Sequence, residues 1–206
     1  MLTLQLLCLQ WLSEERDKHV WEERYSHPWD EIIGRMYLLK AHNSVFDKDY
    51  GTALADFEQA LVFFAKDGVD QVYYARALAD KALVQCLLAQ YQAALATIDQ
   101  AIAVSDPSHQ FDQMTMLNNR GAILVLVGAF PNALNMLSTQ LDKDPKDEDL
   151  LFTLATCLLH LERYHEAVVA YEQVITKDSH RGEDQGLVAA RLGQQPNWTD
   201  LPTHNL

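Results

Sequence analysis

Basic residues are scarce in this chain of 206 residues: 16 Lys and Arg stand against 29 Asp and Glu, for a net charge of −13. That deficit argues against a nucleic-acid ligand, because affinity there comes mainly from Lys and Arg neutralising phosphates. It equally disfavours an anionic membrane surface. Cysteine is also sparse. Cys8, Cys86 and Cys157 lie far apart with no CxxC pair, which excludes the usual zinc spacing and makes a poor disulfide framework. A reducing compartment, the cytoplasm, is expected. Six prolines and eight glycines are few for a loop-rich fold. Long apolar runs are missing too: the stretch MLTLQLLCLQWL falls short of the ~20 residues that span a bilayer. Its first basic residue is Arg16, so a secretory leader is not expected either. It reads as a packing helix with Leu2, Leu6 and Leu9 on one face.

What the chain has is a phrase said four times. YGTALADFEQAL begins at Tyr50, YQAALATIDQAI at Tyr91, FPNALNMLSTQL at Phe130 and YHEAVVAYEQVI at Tyr164. An aromatic opens each copy and an alanine follows three residues later. Tyr50, Ala53, Phe57, Ala60 and Leu61 step at helical spacing, as do Tyr91, Ala94, Ile98, Ala101 and Ile102. Phe130, Ala133, Leu137 and Leu141 repeat the pattern with polar Gln140 in the fourth slot, and Tyr164, Ala167, Tyr171, Val174 and Ile175 complete it. The alanine suits a helix packed too closely against its neighbour for a longer side chain. Each phrase is preceded by another helical stretch, so the unit is an antiparallel helix pair. Successive alanines at 53, 94, 133 and 167 stand 41, 39 and 34 residues apart. Longer first helices in the second and third units are the simplest account of the surplus.

These residues resemble the tetratricopeptide repeat family, whose unit of about 34 residues carries a W/L…G/A…Y, aromatic…A…F…A…P pattern. The resemblance implies an all-α fold, a right-handed α-solenoid of about four helix pairs. It covers roughly residues 34–181, with units near 34–67, 75–108, 114–147 and 148–181, inside a solenoid of 30–181. An N-terminal helical segment is expected over 1–29, bounded near Pro28, and a capping helix over 182–193, where Val188, Ala189 and Leu192 continue the pattern. The remainder, 194–206, reads as an extended tail.

By family analogy the first helices line a concave groove. The resemblance places Arg35, Leu38, His42, Val45 and Phe46 of the first unit there, and Arg76, Ala79, Leu83, Cys86 and Leu87 of the second, with Asp80 beside them. From the third it places Thr115, Asn118, Ala122, Val125 and Leu126, with Asn119 at the edge, and from the fourth Asp149, Phe152, Thr156, Leu159 and His160. The family's best-known ligand, the acidic tail of heat-shock chaperones, needs a carboxylate clamp of Lys, Asn and Arg. Leu38 and His42, then Asp80, then Thr115 and Asn119 stand at the positions the clamp requires, which leaves it essentially absent, so that ligand is rejected. A largely apolar strip instead suits an amphipathic helix or a hydrophobic segment of a partner protein. Asn118 and Asn119 are the candidates for contacts with a peptide backbone.

Catalysis is not expected. There is no HExxH, GxSxG or GxxxxGK[ST] motif. His160 and His165 miss the i, i+4 spacing of a helical metal pair, and KDPKDED from Lys143 reads as a solvated turn with helix-capping acids. No metal or cofactor is implied. The expected role is that of a scaffold or adaptor; the alternatives are a homo-oligomeric subunit using the N-terminal helix, or a secretion or assembly chaperone holding a hydrophobic segment.

Overall fold

The computed structural model describes residues 26–66, 69–108, 110–175 and 185–194. Nine helices lie within them, and no strands: α1 (Ser26–Phe46), α2 (Tyr50–Phe64), α3 (Gln71–Leu87), α4 (Tyr91–Val104), α5 (Gln110–Val127), α6 (Phe130–Leu141), α7 (Glu148–His160), α8 (Tyr164–Ile175) and α9 (Gln185–Leu192). Consecutive helices pair as antiparallel hairpins, the architecture of an α-solenoid. The chain divides into two compact units, 1–116 and 117–206, with the division inside α5. The expected N-terminal helical segment and extended tail lie almost wholly outside the described residues. Pro28 sits in the first turn of α1, where its missing N–H costs no helical hydrogen bond.

Each hairpin turns on the same device. The residue closing the first helix adopts a left-handed conformation: Lys48 (φ 60°), Ala89 (56°), Gly128 (81°), Glu162 (59°) and, after α9, Gly193 (62°). Its N–H donates to the carbonyl three residues back, as Lys48 does to Val45 at 2.9 Å. The next N–H donates to the carbonyl five back, as Asp49 does to Ser44 at 2.8 Å. All five turns repeat these two bonds, which satisfy carbonyls that the end of a helix would otherwise orphan. Tyr50, Tyr91, Phe130 and Tyr164 each stand two residues after the left-handed residue, at the first position of the second helix. Gly193 repeats the turn, but Gln195 replaces the aromatic.

Two rows of small residues let the paired helices close. Ala53, Ala94, Ala133 and Ala167 are fully buried. Seven residues before each left-handed turn stand Ala41, Ala82, Gly121, Ala155 and Gly186, all buried. In the first unit Ala53, Phe57, Ala60 and Phe64 face α1 and α3 from α2 at 4-3-4 spacing. Burying one such Phe is worth roughly 1.5–3 kcal/mol. Gly34 admits Phe64, since a Cβ there would lie 2.5 Å from the Phe64 ring. In the second unit Tyr171 fills the slot of Phe57, and its hydroxyl meets Thr156 Oγ1 at 3.0 Å. Gln140, at the slot that is alanine in α2 and α4, is buried and accepts from Lys143.

The uneven period has a distributed cause. First helices α3 and α5 run to 17 and 18 residues against 13 for α7. The second helices α2 and α4 are also long, at 15 and 14 against 12 for α6 and α8. The surplus therefore lies in both helices of the earlier hairpins, beyond the longer first helices expected.

Candidate functional site

The faces to consider are those of the first helices, taken unit by unit. On α3, Arg76, Asp80 and Leu83 follow at i, i+4 and i+7 and share one stripe. Arg76 forks onto Asp112 at the start of α5, with Nε and Nη2 3.1 and 3.0 Å from Oδ1 and Nη2 2.9 Å from Oδ2. Asp80 Oδ2 meets His42 Nε2 of α1 at 3.0 Å. That hydrogen bond, and to a lesser degree the carboxylate's charge, raises His42 above the ordinary histidine range, with burial opposing. The His42 ring also stands edge-on to Phe57 at 5.5 Å. Leu38 and Leu83 are half-buried, and Arg35 is exposed with its guanidinium 5.3 Å from the Tyr73 ring centroid.

In the second unit the corresponding tie is Thr153 Oγ1 donating to Asn118 Oδ1 at 3.1 Å, between α5 and α7. Phe130 and His160 stack at 4.7 Å, and burial lowers His160 below its usual value. Ala122 and Phe152 are half-buried, the latter edge-on to Tyr171. Asn119 is only 8% exposed and Leu159 0%, and Val125 and Thr156 are buried with them. These four leave little surface for a partner. Thr156 in addition spends its hydroxyl on the Phe152 carbonyl and Tyr171. Ala79 and Cys86 of α3, also expected on these faces, are buried too, whereas Arg35, Leu38, His42, Arg76, Asp80, Leu83, Asn118, Ala122 and Phe152 keep accessible surface.

Sequence reasoning missed Asp112 and Thr153, the partners of Arg76 and Asn118. The signal available was their place on the next first helix, 36 and 35 residues on. Cys86 and Cys157 are free and buried. Burial pushes their thiols up to about 12 and about 11, which makes them poor nucleophiles. Among the described residues no three His, Cys, Asp or Glu side chains gather as a metal site. No helix among them is long and apolar enough to cross a membrane. Asp147, from the acidic KDPKDED turn, caps α7 by accepting from the amides of Asp149 and Leu150, both at 3.0 Å.

Residues 124–190 match the family model of the tetratricopeptide repeat. Over those residues the chain is similar to the tetratricopeptide repeat family. The match lies where helices are 12–13 residues long, in keeping with a repeat of about 34. Solved tetratricopeptide proteins share the fold. MamA (residues 41 to the end) from Desulfovibrio magneticus RS-1 is 16% identical, with a TM-score of 0.59 over 77% of this chain and 84% of that one. A tetratricopeptide repeat protein from Parabacteroides merdae ATCC 43184 is 19% identical, with a TM-score of 0.56 over 78% of this chain and 57% of its own. YrrB, described as a tetratricopeptide protein with an unusual peptide-binding site, is 18% identical, with a TM-score of 0.51 over 76% and 75%. No curated protein matches the sequence significantly.

Proposed function

We propose that the chain is a protein-binding scaffold that takes an apolar segment of another protein on the first-helix faces of its repeats. The observation that supports this is the α3 stripe, where half-exposed Leu83 follows Arg76 and Asp80, both tied to neighbouring first helices. An apolar spot beside fixed polar groups is the arrangement by which helical grooves hold a peptide: the apolar spot supplies affinity and the polar groups orientation. YrrB, which shares the fold, is described as having a peptide-binding site. The contact residues are Arg35, Leu38, His42, Arg76, Asp80 and Leu83 within 1–116 and, as a separate face, Asn118, Ala122 and Phe152 within 117–206. A segment this short buries a modest area, so the complex is transient. The free buried thiols of Cys86 and Cys157 suit a reducing, cytoplasmic setting.

The test uses Leu83→Glu and Ala122→Glu, one in each unit, with helical content checked by circular dichroism. Partners are captured from the native source and affinities measured. A loss of tenfold or more in both folded variants is expected, equivalent to about 1.4 kcal/mol or more. Unchanged affinity would remove these faces from the account.

A further inference from the structure

Three positions on the first helices, counted back from the left-handed turn, all point at the preceding hairpin. Sixteen residues before the turn, Tyr73 stacks on Phe64 of α2 at 5.6 Å and Asp112 binds Arg76 of α3. Nine before it, Asp80 binds His42 of α1 and Thr153 binds Asn118 of α5. Two before it, His160 stacks on Phe130 of α6. Five contacts at three positions give the same direction. They define the leading face of a repeat, the one on which its predecessor stacks.

In α1 those positions are Ile32, Leu39 and Phe46. All three are apolar, and they are 42%, 54% and 88% exposed. The first hairpin therefore presents a complete stacking face with no described helix upon it. A row of large apolar side chains on that face is what a predecessor helix would cover.

We infer that residues 2–12 of this same chain occupy the leading face of α1, packing Leu2, Leu6 and Leu9 against Leu39 and its heptad neighbours as a partial predecessor repeat. Residues 1–13 hold no charged side chain and six leucines, so left in water they would expose a contiguous apolar surface. Leu2, Leu6 and Leu9 step by four and three, the spacing of one helix face. The chain reaches: residues 13–25 can span about 43 Å when extended, whereas 21-residue α1 is about 31 Å long. Covalent attachment also gives the segment an effective concentration in the millimolar range, which favours it over a second copy at ordinary protein concentrations.

The test is amide hydrogen exchange on the full chain, alone and purified, compared with the double variant Leu39→Glu/Phe46→Glu, with mass by light scattering. In the wild type the amides of 2–12 exchange at least about tenfold slower than in an unstructured peptide, independent of protein concentration, in a monomer. In the variant that protection is lost while α4 keeps its own, which shows that the remainder stays folded. A variant that fails to fold is replaced by Leu6→Glu on the partner segment, which must remove the same protection. Unprotected 2–12 in the wild type would overturn the inference. So would protection that survives both sets of substitutions, or protection that rises with concentration alongside a dimer mass, which would assign the face to a second copy.

Discussion

Gly121 of α5 and Leu137 of α6 meet so closely that a Cβ on the glycine would sit 2.7 Å from Leu137 Cδ2. The two helices cross at that point, and only a hydrogen fits between them. Met136 Cε closes the other side at 3.0 Å. Gly121→Ala therefore overpacks the hairpin and should destabilise by about 1–3 kcal/mol, in spite of alanine's better helix propensity. Gly51→Ala, at an exposed position whose Cβ meets only Asp49 Oδ1 at 3.8 Å, should be neutral or stabilising by up to about 1 kcal/mol. Urea denaturation of the two variants separates crowding from propensity; equal effects would mean that the crossing is looser than described.

The turns give a second pair of opposite signs. Ala89 holds a left-handed conformation that costs a side-chain-bearing residue roughly 1–2 kcal/mol, and Ala89→Gly relieves it for a net gain of about 0.5–1 kcal/mol. Gly128→Ala introduces the same strain where a Cβ meets nothing within 4 Å, so a loss of about 1 kcal/mol is purely conformational. Thermal unfolding should rank Ala89→Gly above wild type and wild type above Gly128→Ala.

Lys40 Nζ lies 2.7 Å from Asp56 Oδ1, with both side chains largely buried, and Asp56 Oδ2 has no hydrogen-bond partner. Lys40→Met strands the carboxylate and should cost about 3–5 kcal/mol, whereas adding Asp56→Leu should recover most of the loss. A double-mutant cycle in urea reads the coupling directly.

Two histidines make stability respond to pH in opposite directions. The Asp80 bond raises His42, so its contribution is complete below the unfolded value near about 6.5 and fades as pH rises through the higher folded one. Burial beside Phe130 lowers His160, so the second unit keeps full stability above about 6.5 and loses it as pH falls toward the lower folded value. Proton NMR titration of the two imidazoles should place His42 above and His160 below the free value. Asp80→Asn should bring His42 back toward it.

The hairpins were legible because their determinants are local and repeated. Four aromatics at 50, 91, 130 and 164 and four alanines three residues later mark one helix end and one crossing, and both recur in register. The depth of the first-helix positions was not legible: Leu83 and Leu159 were both expected on an accessible face, yet one is half-exposed and the other enclosed. Burial at those positions depends on the neighbouring helix, which no local window contains. The ties Arg76–Asp112 and Asn118–Thr153 were hidden for the same reason, since each joins residues more than thirty positions apart without a signature of its own. Asn119 looked available because its amide is polar, and the packing of the hairpin encloses it.

The left-handed turns have one further consequence. Every hairpin keeps the same two-residue step from turn to second helix, while helix length varies only at the far ends, next to the connections at 65–70, 105–109 and 142–147. Growth of the molecule is thereby confined to one edge of each repeat. A graft or an added helical turn belongs at those distal connections, whereas a single residue slipped in beside Phe130 would rotate the whole of α6 by a hundred degrees and turn Ala133 and Leu137 away from their partners.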